Sequence, residues 1–200
     1  LRERLTLLSK LEGPVSPPQA PIVDAFSRQT RQAYSLLENR IATILDLDQE
    51  RLATRADYGP SAVGQSLLMA RRLIEAGVRC VTVDHSNWDT HNDNFRILKN
   101  ELLPQLDTGL SALLNDLATR TMLSKTLVVV MGEFGRTPRV NNNAGRDHWG
   151  PANCILMAGG GVRGGLVVGA TNPKGEKPAA DPRSPEDMTA TMCHCLGIDP

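Results

Sequence analysis

Three of the four histidines in this 200-residue chain stand beside carboxylates. The first cluster reads Asp84-His85-Ser86-Asn87-Trp88-Asp89-Thr90-His91-Asn92-Asp93, and the last reads Gly145-Arg146-Asp147-His148-Trp149. Between them lies Gly132-Glu133-Phe134-Gly135-Arg136-Thr137, which offers an acid and a guanidinium. Imidazoles and carboxylates together suit a borderline divalent metal such as zinc or manganese, with calcium or magnesium as harder alternatives. A metal held by such groups would stabilise charge on a phosphoryl or sulfuryl oxygen and lower the pKa of a bound water. The Arg136 guanidinium matches phosphate or sulfate oxygens, or else ties its loop to Asp147 or Glu133. The bland alternative is that each histidine–acid pair is a local hydrogen bond that fixes a loop. Trp88 and Trp149 flank the histidines and would either stack on a sugar ring or simply pack the loops.

These residues have to be positioned by ordinary elements. Residues 1–12 read as a short helix, Pro14 to Pro21 as an extended linker, and Ile22 to Leu47 as a helix with apolar residues at helical spacing. Ser61 is the expected N-cap of a helix that reaches Ala76 and stops at Gly77. Val78–Val83 is a β-branched run of strand length. A long amphipathic stretch runs from Arg96 to Arg120, kinked or restarted at Pro104. Thr126–Met131 is nearly all apolar, as a central parallel strand covered on both faces would be. Cys154–Ala158 and Val162–Ala170 complete the strands, and Ser184-Pro185-Glu186-Asp187 opens a last helix that ends before Gly197. Strands alternating with helices indicate an α/β fold with an open sheet. In such sheets ligands bind beyond the carboxyl ends of strands, where the first two clusters fall.

Composition narrows the function classes. Twenty-two basic side chains balance twenty-two acidic ones. No basic field exists for a nucleic-acid backbone or an anionic membrane surface. No apolar run approaches the roughly 20 residues of a membrane span. The chain opens without Met or a signal core and reads as an excerpt or mature form of something longer. None of the four cysteines has Cys-x-x-Cys spacing, and Cys80 and Cys154 sit in apolar runs, where thiols act as small core hydrophobes. Gly159-x-Gly161-x-x-Gly164 has dinucleotide-binding spacing, but Leu-Val-Val follows it where a helix would have to begin, so a glycine-rich turn suffices. Cys193-His194-Cys195 lies in the last helix, whose successive side chains diverge too far to share an ion.

Several motifs carry a resemblance. Leu106–Glu133 resembles the segment of sulfatases and other alkaline phosphatase relatives in which a helix, a turn and a strand end in an acidic metal ligand. Ser184–Pro200 is similar to the late helix of that superfamily. Trp88–His91, Gly132–Pro138, Gly145–Trp149, Ala158–Gly165 and Leu196–Pro200, with Gly64–Val78, resemble the family called domain of unknown function 1501 (DUF1501). The resemblance implies an alkaline-phosphatase-like open mixed or parallel sheet with flanking helices, of which residues 58–200 form the C-terminal part. Residues 1–57 then form a helical N-terminal segment. It implies that Asp89 and His91 share a metal position with His148 and Asp147, and that Glu133 is the acid ending the strand. It also implies export to the periplasm or beyond. Departures from the pattern are Phe134, which cannot coordinate, and the Asp89-x-His91 spacing. The superfamily's nucleophile and an early acidic ligand fall on N-terminal segments absent from this chain. The expected function is hydrolysis of phosphate or sulfate esters, of small molecules or carbohydrates, by a partial metal site. The alternative is a non-catalytic relative that binds carbohydrate or a surface partner.

Overall fold

A computed structural model of the protein describes residues 41–198 and the single position Arg28. The helix expected over residues 1–12, the linker at 14–21 and most of the helix from Ile22 lie outside the described residues. Within them the protein is mixed α/β, with small antiparallel sheets. It divides into two compact units. The described part of one comprises residues 41–52 and Met69–Thr82, and that of the other Ala53–Leu68 and 83–198.

In the first unit, helix α1 (Ile41–Leu45) is followed by a 3₁₀ turn over Leu47–Gln49. Its last carbonyls have no partners within the helix. Arg72 supplies them, donating from Nε to the Ile44 carbonyl at 2.7 Å and from Nη2 to that of Thr43 at 2.6 Å. Arg71, only 1% exposed, pairs with Glu50 at 2.7 Å, and Arg72 shares the same carboxylate oxygen at 2.5 Å.

The second unit begins with helix α2 (Leu52–Asp57), whose first residue belongs to the other unit, and takes the first half of helix α3 (Ala62–Glu75). Ser61 caps α3 as expected, its Oγ accepting from the Gly64 N–H at 3.1 Å. Gly77 stops it with φ of +99°, a left-handed conformation that costs glycine little. Helix α4 (Asn94–Ile97) runs through a π-helical segment, Leu98–Leu102, into helix α5 (Leu103–Thr119). The π-turn sits directly before Pro104, which has no N–H to donate. There the Leu103 N–H reaches back to Leu98, and the ladder widens without breaking. Leu113 and Leu117, four residues apart on α5, form the core with Tyr58, Val63, Leu68 and Leu102. The Tyr58 hydroxyl donates to Asp116 at 3.1 Å.

Strands β1 (Leu127–Met131), β2 (Gly135–Arg136), β3 (His148–Trp149), β4 (Ile155–Gly159), β5 (Ala170–Thr171) and β6 (Pro178–Ala180) form three two-stranded antiparallel sheets. The pairs are β1 with β4, β2 with β3, and β5 with β6. The expected strands at 126–131 and 154–158 therefore exist, but the open parallel sheet expected around them is not seen among the described residues. The connection from β1 to β4 contains no helix, and without a crossover the chain returns antiparallel. Nor is β1 covered on both faces, since its residues are half-buried and Met131 is 59% exposed.

Val78–Val83 forms no strand either. Val81 and Val83 are half-buried and Thr82 exposed, a strand-like alternation with no ladder partner among the described residues. Val162–Ala170 is likewise not a strand up to Ala170 itself, and Val167 is 95% exposed. Cys80 and Cys154 are exposed and not core residues, because the runs that carry them are not enclosed. The last helix, α6 (Pro185–Cys195), matches expectation. The Ser184 Oγ accepts from the Asp187 N–H at 3.2 Å, and the Asp187 carboxylate accepts from the Ser184 N–H at 2.8 Å. No helix among the described residues is long and apolar enough to cross a membrane.

Candidate metal centre

Three loops of the second unit meet at the histidines, and main-chain contacts hold them there. The short β2–β3 ladder places Arg136 directly opposite His148. The 90–94 segment is bound to the 143–146 turn by three backbone bonds. These run from Arg146 N–H to the Thr90 carbonyl at 3.1 Å, from Asn94 N–H to Ala144 at 2.9 Å, and from Asp93 N–H to Asn143 at 3.0 Å. Beneath this seam the buried Thr90 hydroxyl donates to the buried Asn94 side chain. Gly145 is required by the same packing, since a Cβ there would overlap the His91 carbonyl group. Non-glycine residues with positive φ (Asn87 at 72°, Asp93 at 49° and Ala144 at 55°) bracket the loops. Such strain persists only where surrounding contacts fix the backbone.

The side chains then converge. His148 Nε2 lies 2.9 Å from Asp89 Oδ1, His91 Nε2 lies 3.1 Å from the same oxygen, and the two Nε2 atoms are 3.2 Å apart. A metal about 2.1 Å from each of three donors spaces them about 3.0 Å apart in octahedral and about 3.4 Å apart in tetrahedral geometry. The observed sides of 2.9, 3.1 and 3.2 Å cluster about the octahedral value, and the donors are the two imidazoles and one carboxylate that zinc, manganese or iron accept. The side chains of Asp89, His91 and His148 are 64%, 40% and 51% exposed, so one side of the triangle faces solvent.

Further residues surround the triangle. Asp147 Oδ1 lies 2.8 Å from His91 Nδ1, behind the ring rather than among the ligand atoms. Arg136 Nη2 donates to Asp89 Oδ1 at 2.7 Å and to the Trp88 carbonyl at 3.2 Å, while Nη1 reaches the Arg146 carbonyl at 3.4 Å. Hydrogen bonds from His148 and Arg136 pull the Asp89 carboxyl down to about 2. The Asp147 carboxyl is also lowered, first by its hydrogen bond with His91 and then by one from Asn141. Both are therefore carboxylates at neutral pH. Phe134 packs against His148, with ring centres 4.3 Å apart and the rings tilted by 38°.

Of the residues expected at a site, Asp89, His91, Asp147, His148 and Arg136 are brought together. Glu133 is not: it is exposed and outside the group of ligand atoms. Asp84 accepts from its neighbour Ser86 at 2.6 Å. His85 stands apart, its ring nitrogens buried and its ring edge-on to Trp88 at 5.4 Å, and burial lowers its pKa. Trp149 donates to the Glu176 carbonyl at 2.7 Å, which holds the β5–β6 hairpin against β3. Sequence reasoning missed Asn141, which bonds both to Asp147 and to the His91 carbonyl. The run Asn141-Asn142-Asn143-Ala144-Gly145 was its only signal, a turn-forming composition.

Fold and site together define a mixed α/β protein with an exposed cluster of two histidines and one aspartate suited to a divalent metal. The chain belongs to the DUF1501 family, described as "Protein of unknown function (DUF1501)", whose model matches residues 1–200. No curated protein and no solved structure matches it.

Proposed function

We propose that the chain supplies the metal-binding part of a hydrolase acting on phosphate or sulfate esters. The observation that carries this reading is the near-equilateral triangle of Asp89 Oδ1, His91 Nε2 and His148 Nε2, with its open side to solvent. A divalent metal there would polarise the ester oxygen and acidify a bound water. Asp89, ionised far below neutral pH, contributes the negative charge, and Asp147 orients His91 from behind. Arg136 lies alongside to meet an anionic ester, though in the absence of one its guanidinium is engaged by Asp89 and two carbonyls. Attack by water would complete the reaction, the alcohol of the ester leaving.

One observation favours a second reading, a non-catalytic relative that binds carbohydrate or a surface partner. The Phe134 ring, which cannot coordinate, packs tilted against His148 at the edge of the cluster. Elemental analysis of the purified protein, compared with His148→Ala, tests the metal. Generic phosphate and sulfate monoesters then test catalysis. Stoichiometric metal, lost in the variant, with hydrolysis of either ester supports the hydrolase. Metal without hydrolysis favours the binding reading, and no metal in the wild type refutes the metal centre.

A further inference from the structure

Asn141 makes every hydrogen bond its side-chain amide is suited to make. Its Oδ1 accepts the backbone N–H groups of Asn143 and Gly145, each at 2.9 Å. Two N–H donors at one atom identify that atom as oxygen and settle which end of the amide is which. The Nδ2 end therefore faces the other way. It donates to the His91 carbonyl at 3.0 Å and to Asp147 Oδ1 at 3.1 Å. That same carboxylate oxygen lies 2.8 Å from His91 Nδ1. An ionised carboxylate only accepts, so the proton of this last bond is on Nδ1.

From this chain of donors and acceptors we infer that Asn141 is a positioning residue that, through Asp147, fixes neutral His91 as its Nδ1–H tautomer and aims the Nε2 lone pair into the Asp89–His148 triangle. The inference deepens the metal reading proposed above and rests on it for its functional meaning. The tautomer is the less common one for a free histidine side chain, so it has to be imposed. It is also the one a metal requires when it binds Nε2. His91 Nε2 also stands 3.1 Å from Asp89 Oδ1, an ion-pair distance, but His148 and Arg136, and not His91, hydrogen-bond to that carboxylate, so Asp89 holds no proton on His91 Nε2. The two histidines then differ. His148 Nε2 faces two acceptors, Asp89 Oδ1 at 2.9 Å and His91 Nε2 at 3.2 Å, and so carries the proton between them. His91 is preset as a ligand, while His148 has to move its proton from Nε2 to Nδ1, by way of solvent, before it can bind. The backbone turn and the ligand tautomer are thus set by one side chain. The Oδ1 end shapes the 141–145 loop, and the Nδ2 end orients Asp147.

Asn141→Asp separates these roles, because it keeps an acceptor for the two backbone N–H groups and removes both donors. Asp147→Leu is the second variant and removes the acceptor of His91 directly. The readouts, on the full chain, are the nitrogen chemical shifts of His91 at about pH 9, where an ordinary histidine is neutral, and calorimetric titration with zinc. Wild type should show the Nδ1–H pattern. Both variants should shift His91 toward Nε2–H and weaken zinc binding by about 10- to 100-fold, as expected when a partner behind a ligand is lost. A wild-type His91 protonated on Nε2 overturns the inference. So does an Asn141→Asp protein with unchanged tautomer, or with unchanged zinc affinity where wild type binds zinc. If the tautomer behaves as expected but no form binds zinc, the metal centre fails and the assignment of Asn141 to His91 stands.

Discussion

Gly145→Ala is the substitution whose cost follows most directly from the structure. The added methyl would overlap the carbonyl of His91 and crowd the Asn92 nitrogen. All of these are backbone atoms, so no rotamer change relieves the contact. The 144–146 strand of the turn has to move away from residues 90–94, and the bonds joining them run from Arg146 to Thr90, Asn94 to Ala144 and Asp93 to Asn143. Loss of two such bonds costs about 1–3 kcal/mol, and residual overpacking adds about 1–3 kcal/mol. A total of about 2–6 kcal/mol corresponds, at about 2–4 °C per kcal/mol for a chain of this length, to a fall in Tm of at least about 4 °C. The same movement pulls His91 from His148, so zinc affinity should fall with Tm. Gly150→Ala is the control, because a Cβ there meets nothing within 4 Å. Its stability should stay within about 0.5 kcal/mol of wild type. Calorimetric melting of the three proteins decides the matter. A Gly145→Ala protein that melts with wild type and binds zinc equally well would refute the seam of backbone contacts as the device that builds the site.

Other expectations follow from the core, the ion pairs and the caps. Leu117, 1% exposed on α5, should cost about 2–5 kcal/mol when replaced by Ala, read as a lower midpoint in urea unfolding. Burial alone raises the Glu50 carboxyl, but hydrogen bonds and charge from Arg71 and Arg72 outweigh it and leave it below its ordinary value of 4.5. A lowered folded pKa means that the contribution is complete above that value and disappears as pH falls through the folded pKa. Wild type should therefore lose more stability than Glu50→Gln between about pH 6 and about pH 3, and equal losses in urea titrations would contradict the pairing. Ser184→Ala removes the cap of α6 and should cost about 0.5–2 kcal/mol. Because α6 buries no residue, that loss should appear as faster amide exchange in the helix.

Local signals were legible and non-local ones were not. The Ser61 cap, the Gly77 stop and the capping box at Ser184 each depend on a few adjacent residues, and each formed where expected. Strand formation depends on a partner far along the chain. Val78–Val83 has the composition of a strand, and its last three residues alternate in exposure as a strand would, yet nothing described pairs with it. The direction of β4 depends on what lies between it and β1, and that connection holds turns rather than a crossover helix. The expected parallel arrangement treated apolar composition as sufficient. Cys80 and Cys154 were misplaced by the same step, from apolar neighbours to an enclosed core.

The candidate site divides along the same line. Its histidines and acids were visible because such residues are few and stand in loops, but their convergence depends on a two-residue ladder and a turn. Elements that short have no periodicity to detect. Side-chain chemistry here is exposed, whereas the backbone beneath it is tightly constrained. His91, His148 and Asp89 could be exchanged without disturbing a core, but Gly145 and the Arg136–His148 register could not be changed without moving the ligand atoms. The residues that would bind a metal are thus separable from those that place them. A ligand substitution should remove metal and leave the melting curve of the metal-free protein nearly unchanged, while a change in the turn should alter both.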